Sequence, residues 1–189
     1  MAYKRRIVVE PDPVLRKVSK KVSELELKMP LTQQLIDDMF ETMHAAHGVG
    51  LAAPQVGRTE RLTVLDVHGE RHVLVNPEIV EREGTLKWEE GCLSIPELYG
   101  DVTRSARVVV EAVDAQGKPV RVEGTELLGV CLQHEIDHLH GKLFIDHLSF
   151  LKRQKLLAEW ETEKAHYPGL IRIVVPGEAD DEAHDDEKL

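Results

Sequence analysis

Cys131-Leu132-Gln133-His134-Glu135-Ile136-Asp137-His138-Leu139-His140 lies in a segment whose spacing predicts a helix from about Gly124 to His140. His134 to His138 is an H-E-x-x-H pattern. Residues four apart on a helix share a face, so both imidazoles can reach one metal ion. Glu135 lies beside them and can reach a water held by that metal, which suits a hydrolase whose base activates water. The alternative is a solvated helix face carrying an i, i+4 histidine pair. At about 100° per residue, however, His134 and His138 point the same way as Leu127 and Cys131, into the core. Ionisable side chains aimed at a core need partners.

A catalytic site of this type needs a third protein ligand and an open position for water. Gly141 fits the metzincin continuation, but Phe144 stands where its third histidine belongs, which excludes that class. Glu159 or Glu163 on a later helix could complete a thermolysin-like peptidase site. A cysteine is the third source. Cys131 is one turn before His134, and Cys92 lies in Glu90-Gly91-Cys92-Leu93-Ser94. Gly91 frees the backbone beside Cys92, and Pro96 limits regular pairing just after it. Position alone leaves these ligands open, as well as a closed, non-enzymatic Cys/His metal or redox site.

Working outward, Leu31, Leu35, Met39 and Met43 recur at helical spacing from Pro30 to His47, giving an amphipathic helix ended by Gly48. Gly48 to Gly57 reads as a loop. Strands are expected at Leu62–Val67, His72–Asn76, Arg107–Val113 and Val120–Val122, and their short separations suggest antiparallel pairing. A last helix is expected from about Leu148 to Lys164, stopping before Pro168. A helix, then strands, then helices is not an alternating βαβ pattern. The expected fold class is α+β: antiparallel β-sheets packed around a central helix that carries HExxH, plus an N-terminal helix and a C-terminal helix.

The 189 residues suit one domain with an extra segment, and 42% hydrophobic residues are enough for a real core. A formal net charge of -10 argues against DNA or broad nucleic-acid binding, which needs a basic footprint. Much of that charge lies between Pro176 and Leu189, an acidic tail with almost nothing to bury and expected to be disordered. We expect a catalytic domain at residues 1–167 and a C-terminal extension at 168–189. Two cysteines make a disulfide framework unexpected. Without a signal h-region or an apolar run long enough for a membrane span, the expected location is the cytoplasm.

Three segments together resemble the motifs of the peptide deformylase family: Gly48-Val49-Gly50-Leu51-Ala52-Ala53-Pro54-Gln55, Glu90-Gly91-Cys92-Leu93-Ser94 and Gln133-His134-Glu135-Ile136-Asp137-His138-Leu139. They occur in the family's order and separations, and the resemblance covers roughly residues 5 to 165. The helical end from Leu148 is similar to the bacterial class with a C-terminal helix. The resemblance implies an enzyme that removes the formyl group from the N-terminal methionine of N-formylmethionyl nascent peptides. It implies Cys92, His134 and His138 as metal ligands, with water in the fourth position, and Glu135 as general base and then proton donor. Gln55 and the backbone N–H of Leu93 are implied as oxyanion donors, and Val49 and Gly50 as contacts to the substrate backbone. The implied physiological metal is Fe²⁺, with Zn²⁺, Ni²⁺ or Co²⁺ able to take the site; ligand spacing does not choose among them.

Each implied role has a physical reason. Formyl hydrolysis passes through a tetrahedral oxyanion, and donors fixed at that oxygen act as charge develops. A Gln amide donates without bringing a competing charge, and Pro54 restricts Ala53 and stiffens the approach to Gln55. Otherwise Gln55 is an ordinary loop amide, and Gly48 and Gly50 are turn residues. One thiolate and two neutral imidazoles leave a divalent site net positive. Val130, Leu128 and the neighbourhood of Val49 are candidates to line a methionine pocket. Leu98-Tyr99-Gly100 departs from the family, which often carries a basic residue near Tyr99. Lys152, Arg153 and Lys155 could make a transient ribosome contact, although a solvated helix face is favoured because the tail is so acidic.

Overall fold

A computed structural model of the chain describes residues 6–174. The expected disorder of the acidic tail falls on residues outside this range. Among the described residues four α-helices run over Glu24–Leu27 (α1), Pro30–Ala45 (α2), Glu126–Leu139 (α3) and Phe150–Glu163 (α4). The same residues form nine strands, Ile7–Val8 (β1), Gly50–Ala52 (β2), Leu62–Val67 (β3), Glu70–Glu83 (β4), Leu86–Cys92 (β5), Ile95–Arg104 (β6), Arg107–Val113 (β7), Pro119–Thr125 (β8) and Ile171–Arg172 (β9). Short 3₁₀ turns, including Ala53–Val56, link them. Every paired strand is antiparallel, in sheets ordered β2-β3-β4-β7-β8, β5-β6 and β1-β9. The expected α+β class with a central helix is the observed one.

Ser23 and Glu26 form a capping box at the start of α1. Pro30 occupies the first turn of α2, where its missing N–H costs nothing. Leu35, Ile36, Met39 and Met43 of α2 cover Leu62, Val64 and Val75 of the large sheet. The helix was expected to end at Gly48, but His47 takes the left-handed position at φ 55°. The Gly48 N–H then donates to the Met43 carbonyl at 2.9 Å.

Helix α3 lies between the two larger sheets. On one side Leu127, Cys131, Leu132 and Ile136 pack against Leu65, Leu74, Val108 and Val110 of the five-stranded sheet. On the other, its polar motif faces the β5–β6 hairpin. Behind that hairpin a further core joins Ile95, Leu98 and Val102 to Phe144, Leu156 and Trp160. The Trp160 indole donates to the Glu10 carbonyl at 2.9 Å, fastening α4 to the N-terminal segment. Strand β9 then pairs with β1.

Leu62–Val67 and Arg107–Val113 fall where the sequence places them. The Gly48–Gly57 segment is not simply a loop: Gly50–Ala52 pairs with Thr63–Leu65, and Ala53–Val56 forms a 3₁₀ turn. The strand expected at His72–Asn76 extends to Glu83 through bulges, the first between Val75 and Glu78, where Asn76 has φ 54°. Strands β5 and β6 were not expected. Pro96 does limit pairing: the ladder jumps from Glu90 opposite Gly100 to Cys92 opposite Ile95.

Candidate metal centre and active site

Three elements meet over the buried face of α3. The end of β5 supplies Cys92, the 3₁₀ turn after β2 supplies Gln55, and α3 itself supplies His134, Glu135 and His138. All five are buried. The Cys92 Sγ and one nitrogen each of His134 and His138 lie within 4.8 Å of one another. Sγ is 3.4 Å from His138 Nε2, which is 3.2 Å from His134 Nε2. No other such group of three occurs among the described residues. Cys131 instead directs its sulfur to the Val49 carbonyl at 3.8 Å. Glu159 and Glu163 are on α4, exposed and half-buried respectively, and paired with Lys155 and His166. The thermolysin-like ligand set is therefore not assembled.

The proton pattern shows what the trio is suited to hold. His134 Nδ1 is 2.8 Å from the Glu90 carboxylate, so it donates there and leaves Nε2 as a bare lone pair. That lone pair faces a second imidazole nitrogen and a sulfur. Three electron-pair donors converging in a buried space repel unless a cation sits among them. One sulfur and two nitrogens suit a borderline divalent metal, so these residues fit one. The carboxylate behind His134 is the outer partner that commonly orients a ligating imidazole. His138 Nδ1 is buried and has no hydrogen-bond partner among the described residues.

Glu90 belongs to a network that sequence reasoning did not assign. Arg104 of β6 grips both its carboxylate oxygens, at 2.6 and 2.9 Å, and reaches Asp137 Oδ2 at 2.5 Å. His147 closes the chain, 2.7 Å from the same Asp137 oxygen. Burial alone would raise the Glu90 pKa. Hydrogen bonds from Arg104 and His134 outweigh it and hold the carboxyl at about 2. Asp137 is likewise held well below its usual range: burial opposes the shift, while His147 and Arg104 impose it. Glu90 did stand inside a quoted motif, but nothing near Arg104 in sequence marks it as the partner.

Glu135 has a different environment. Its carboxylate meets the Thr63 hydroxyl, which lies 3.4 Å from Oε2 and 2.9 Å from the Leu51 carbonyl. The single hydroxyl proton favours the shorter bond, so the carboxylate is poorly compensated. Burial pushes its pKa up to about 7, against the pull of His134 and Thr63. Gly50 makes room for it: a Cβ there would lie 2.5 Å from Glu135 Oε1 and 2.8 Å from Cys131 Sγ.

Gln55 is oriented by its own backbone turn. The Ala52 N–H donates to Oε1 at 2.9 Å, which turns the amide nitrogen toward Cys92 Sγ at 3.6 Å and Ser94 Oγ at 3.3 Å. Leu93 follows Cys92 in the turn between β5 and β6, half-buried against the α2 core. Val49 and Gly50 lie at β2, the edge strand of the large sheet. Val130 is buried and Leu128 half-buried on α3. The arrangement offers a cation cage, an under-compensated base beside it and an amide donor across from it.

Residues 4–154 match the family model described as polypeptide deformylase. The chain is 49% identical over 162 residues to the peptide deformylase of Hydrogenovibrio crunogenus, covering 84% of this chain and 94% of that protein. A crystal structure of a peptide deformylase from Legionella pneumophila superposes with a TM-score of 0.82 at 48% identity, covering 86% of this chain and 96% of the other. One from Ehrlichia chaffeensis, in complex with actinonin, gives 0.80 at 36% identity over 89% and 99% of the two chains.

Proposed function

Because this chain belongs to the polypeptide deformylase family, and so removes the N-formyl group from nascent peptides, we propose that Cys92, His134 and His138 hold its metal and that Glu135, Gln55 and Leu93 carry the chemistry. The observation that carries this assignment is the convergence of one sulfur and two nitrogens within 4.8 Å, with Glu135 next in sequence to one of them. A bound divalent cation supplies a Lewis acid that acidifies water and polarises a carbonyl. Fe²⁺ is the resident ion in our reading, and Zn²⁺, Ni²⁺ or Co²⁺ satisfies the same donors.

Glu135 accepts the proton of the attacking water and returns it to the departing amine. A carboxylate kept basic by burial suits both steps near neutral pH. Gln55 Nε2 and the Leu93 N–H donate to the oxygen on which negative charge develops. The Ala52–Gln55 bond fixes the amide before substrate arrives, so little reorganisation is needed. Glu90, held by Arg104, fixes the His134 ring. Val49 and Gly50, at a sheet edge, receive the extended peptide backbone, since an edge strand can add one more strand. Val130, Leu128 and Val49 line the methionine side chain.

The catalytic unit comprises residues 1–167, with an extension at 168–189, and the enzyme works in the cytoplasm on nascent chains. Among the described residues no helix is long and apolar enough to cross a membrane. Lys152, Arg153 and Lys155 pair with Asp101, Asp146 and Glu159, which supports a solvated face on α4 over a ribosome contact. The deciding assay is formate release from formyl-Met-Ala-Ser, with the acetylated peptide as control. Formate from the first and no cleavage of the second is expected. Comparable cleavage of both would make the enzyme a general deacylase and overturn the assignment.

A further inference from the structure

An open cleft of about 380 Å³ lies between the C-terminal end of α3, strand β4 and the residue just before β3. Arg61, Arg82, His140 and Lys142 line it, with Glu78 and Asp137. Both acids are already engaged: Asp137 by Arg104 and His147, Glu78 by Lys21 at 3.3 Å. None of the three cations, Arg61, Arg82 and Lys142, has a carboxylate within ion-pair distance among the described residues. This is unusual in a chain of net charge -10.

Arg61 is the anomaly. It is only 7% exposed, and Nε is buried with no partner. One terminal nitrogen donates to the Pro77 carbonyl at 2.7 Å. The other is 3.3 Å from His140 Nε2. His140 Nδ1 donates to the Ile136 carbonyl at 2.9 Å, which leaves its Nε2 to accept from Arg61. A carbonyl and an imidazole do not compensate a buried guanidinium, which ordinarily finds an anion. Burial correspondingly lowers the Arg61 pKa, with only Glu78 opposing it. The α3 carbonyls do not supply the missing negative charge. The Ser19 N–H caps Leu139, the Gly141 N–H caps His138, and the His140 and Lys142 N–H groups cap Asp137.

We propose that this cleft binds a small phosphorylated ligand whose phosphate is held by Arg61 at the floor and by Arg82 and Lys142 at the rim. Cations from three separate elements surround a space larger than a carboxylate needs, and guanidinium forks match phosphate oxygens. The surrounding negative charge disfavours a polymeric nucleic acid over a compact anion.

The test uses the full chain loaded with Co²⁺, titrated with inorganic phosphate by calorimetry at constant ionic strength, while the visible spectrum reports any anion at the metal. Saturable one-to-one binding with an unchanged spectrum is expected. Arg82→Gln with Lys142→Gln, both exposed positions, weakens it by roughly tenfold or more, as lost charge-assisted hydrogen bonds should. The charge-matched control Lys28→Gln with Lys155→Gln leaves it unchanged. Arg61→Met abolishes it; if that variant does not fold, the rim pair decides alone. Absence of saturation, equal binding by the rim and control variants, or spectral change in step with the heat each overturns the site. Tighter binding of a single-stranded RNA oligomer, lost in the rim variant, overturns the small-ligand assignment.

Discussion

Replacing Gly50 with alanine tests whether the space beside Glu135 is set by a missing side chain. The added Cβ would stand 2.5 Å from Glu135 Oε1 and 2.8 Å from Cys131 Sγ, where ordinary contacts begin near 3.4 Å. Overpacking of this kind costs about 1–3 kcal/mol. At about 2–4 °C per kcal/mol for a chain of this size, the melting temperature should fall by about 2–12 °C. The carboxylate end is the more mobile neighbour, so it yields first and leaves its position relative to the metal. The expected kcat loss then approaches the contribution of a general base, about 10²–10⁴-fold, with KM changed little. Formate release from formyl-Met-Ala-Ser measures both constants, and thermal melting measures stability. Cys131→Ala in the Gly50→Ala background removes the contact with sulfur but not that with Glu135. Stability should recover while kcat stays low. A rise in KM alone would assign Gly50 to peptide docking and refute the argument from Glu135, as would wild-type kcat in the single variant.

Cys92→Ser should weaken metal binding and remove most activity, whereas Cys131→Ser costs only packing; metal content by atomic absorption distinguishes them, and the opposite result reverses the ligand assignment. Glu135→Gln should keep fold and metal while kcat falls about 10²–10⁴-fold, because the amide cannot accept a proton; near-normal turnover would remove Glu135 from the mechanism. Arg104→Met leaves Glu90 and Asp137 without their shared cation, at a cost of about 3–5 kcal/mol in denaturant unfolding. It should also lower metal affinity about 10–100-fold in a chelator competition, and unchanged affinity would mean that the network does not position His134. Acetyl-Met peptides should be cleaved far more slowly than formyl-Met peptides, while formyl-norleucine stays close to formyl-Met, since a pocket change of methylene size is worth only about 1–3 kcal/mol in relative kcat/KM.

The parts of the fold legible in sequence were those whose burial is periodic over a short window. Leu35, Met39 and Met43 mark α2, and the run Leu62–Val67 marks β3, because each element buries one face or both along its whole length. Strands β5 and β6 lack that regularity. Lys87 and Glu89 point outward while Glu90 points inward, and β6 carries Pro96, Gly100 and Asp101, all poor strand formers. The hairpin holds because its inner face pairs charge with charge: Glu90 and Arg104 stand where a pattern reader expects apolar residues. The extension of β4 past Asn76 was hidden for a related reason. A bulge resets the alternation, so the segment after it no longer continues the period before it.

The site divides along the same line. His134 and His138 were legible as a pair because a helix fixes their spacing, and Cys92 was found only through its motif. Cys131 stood on the same helical face one turn away, while Gly91 and Pro96 beside Cys92 favoured the more distant cysteine, and position alone left both open. The structure turns the Cys131 sulfur toward the Val49 carbonyl, because β2 crosses that part of α3 and Gly50 brings the backbone close. The choice between two cysteines therefore depends on which strand lies over which turn of α3, a long-range fact that no local spacing encodes. Arg104 carries the point further. It is almost wholly buried and bonded to two acids, one on its own hairpin and one on the helix. Such an arrangement tolerates little substitution at either end, since removing one partner strands the others in a dry interior. The hairpin and α3 are thus held in one register by these ionic contacts together with Trp88 of β5, which packs against the α3 core. That register places Cys92 against His138, so the network that was hardest to read from the sequence is also what assembles the part that was easiest.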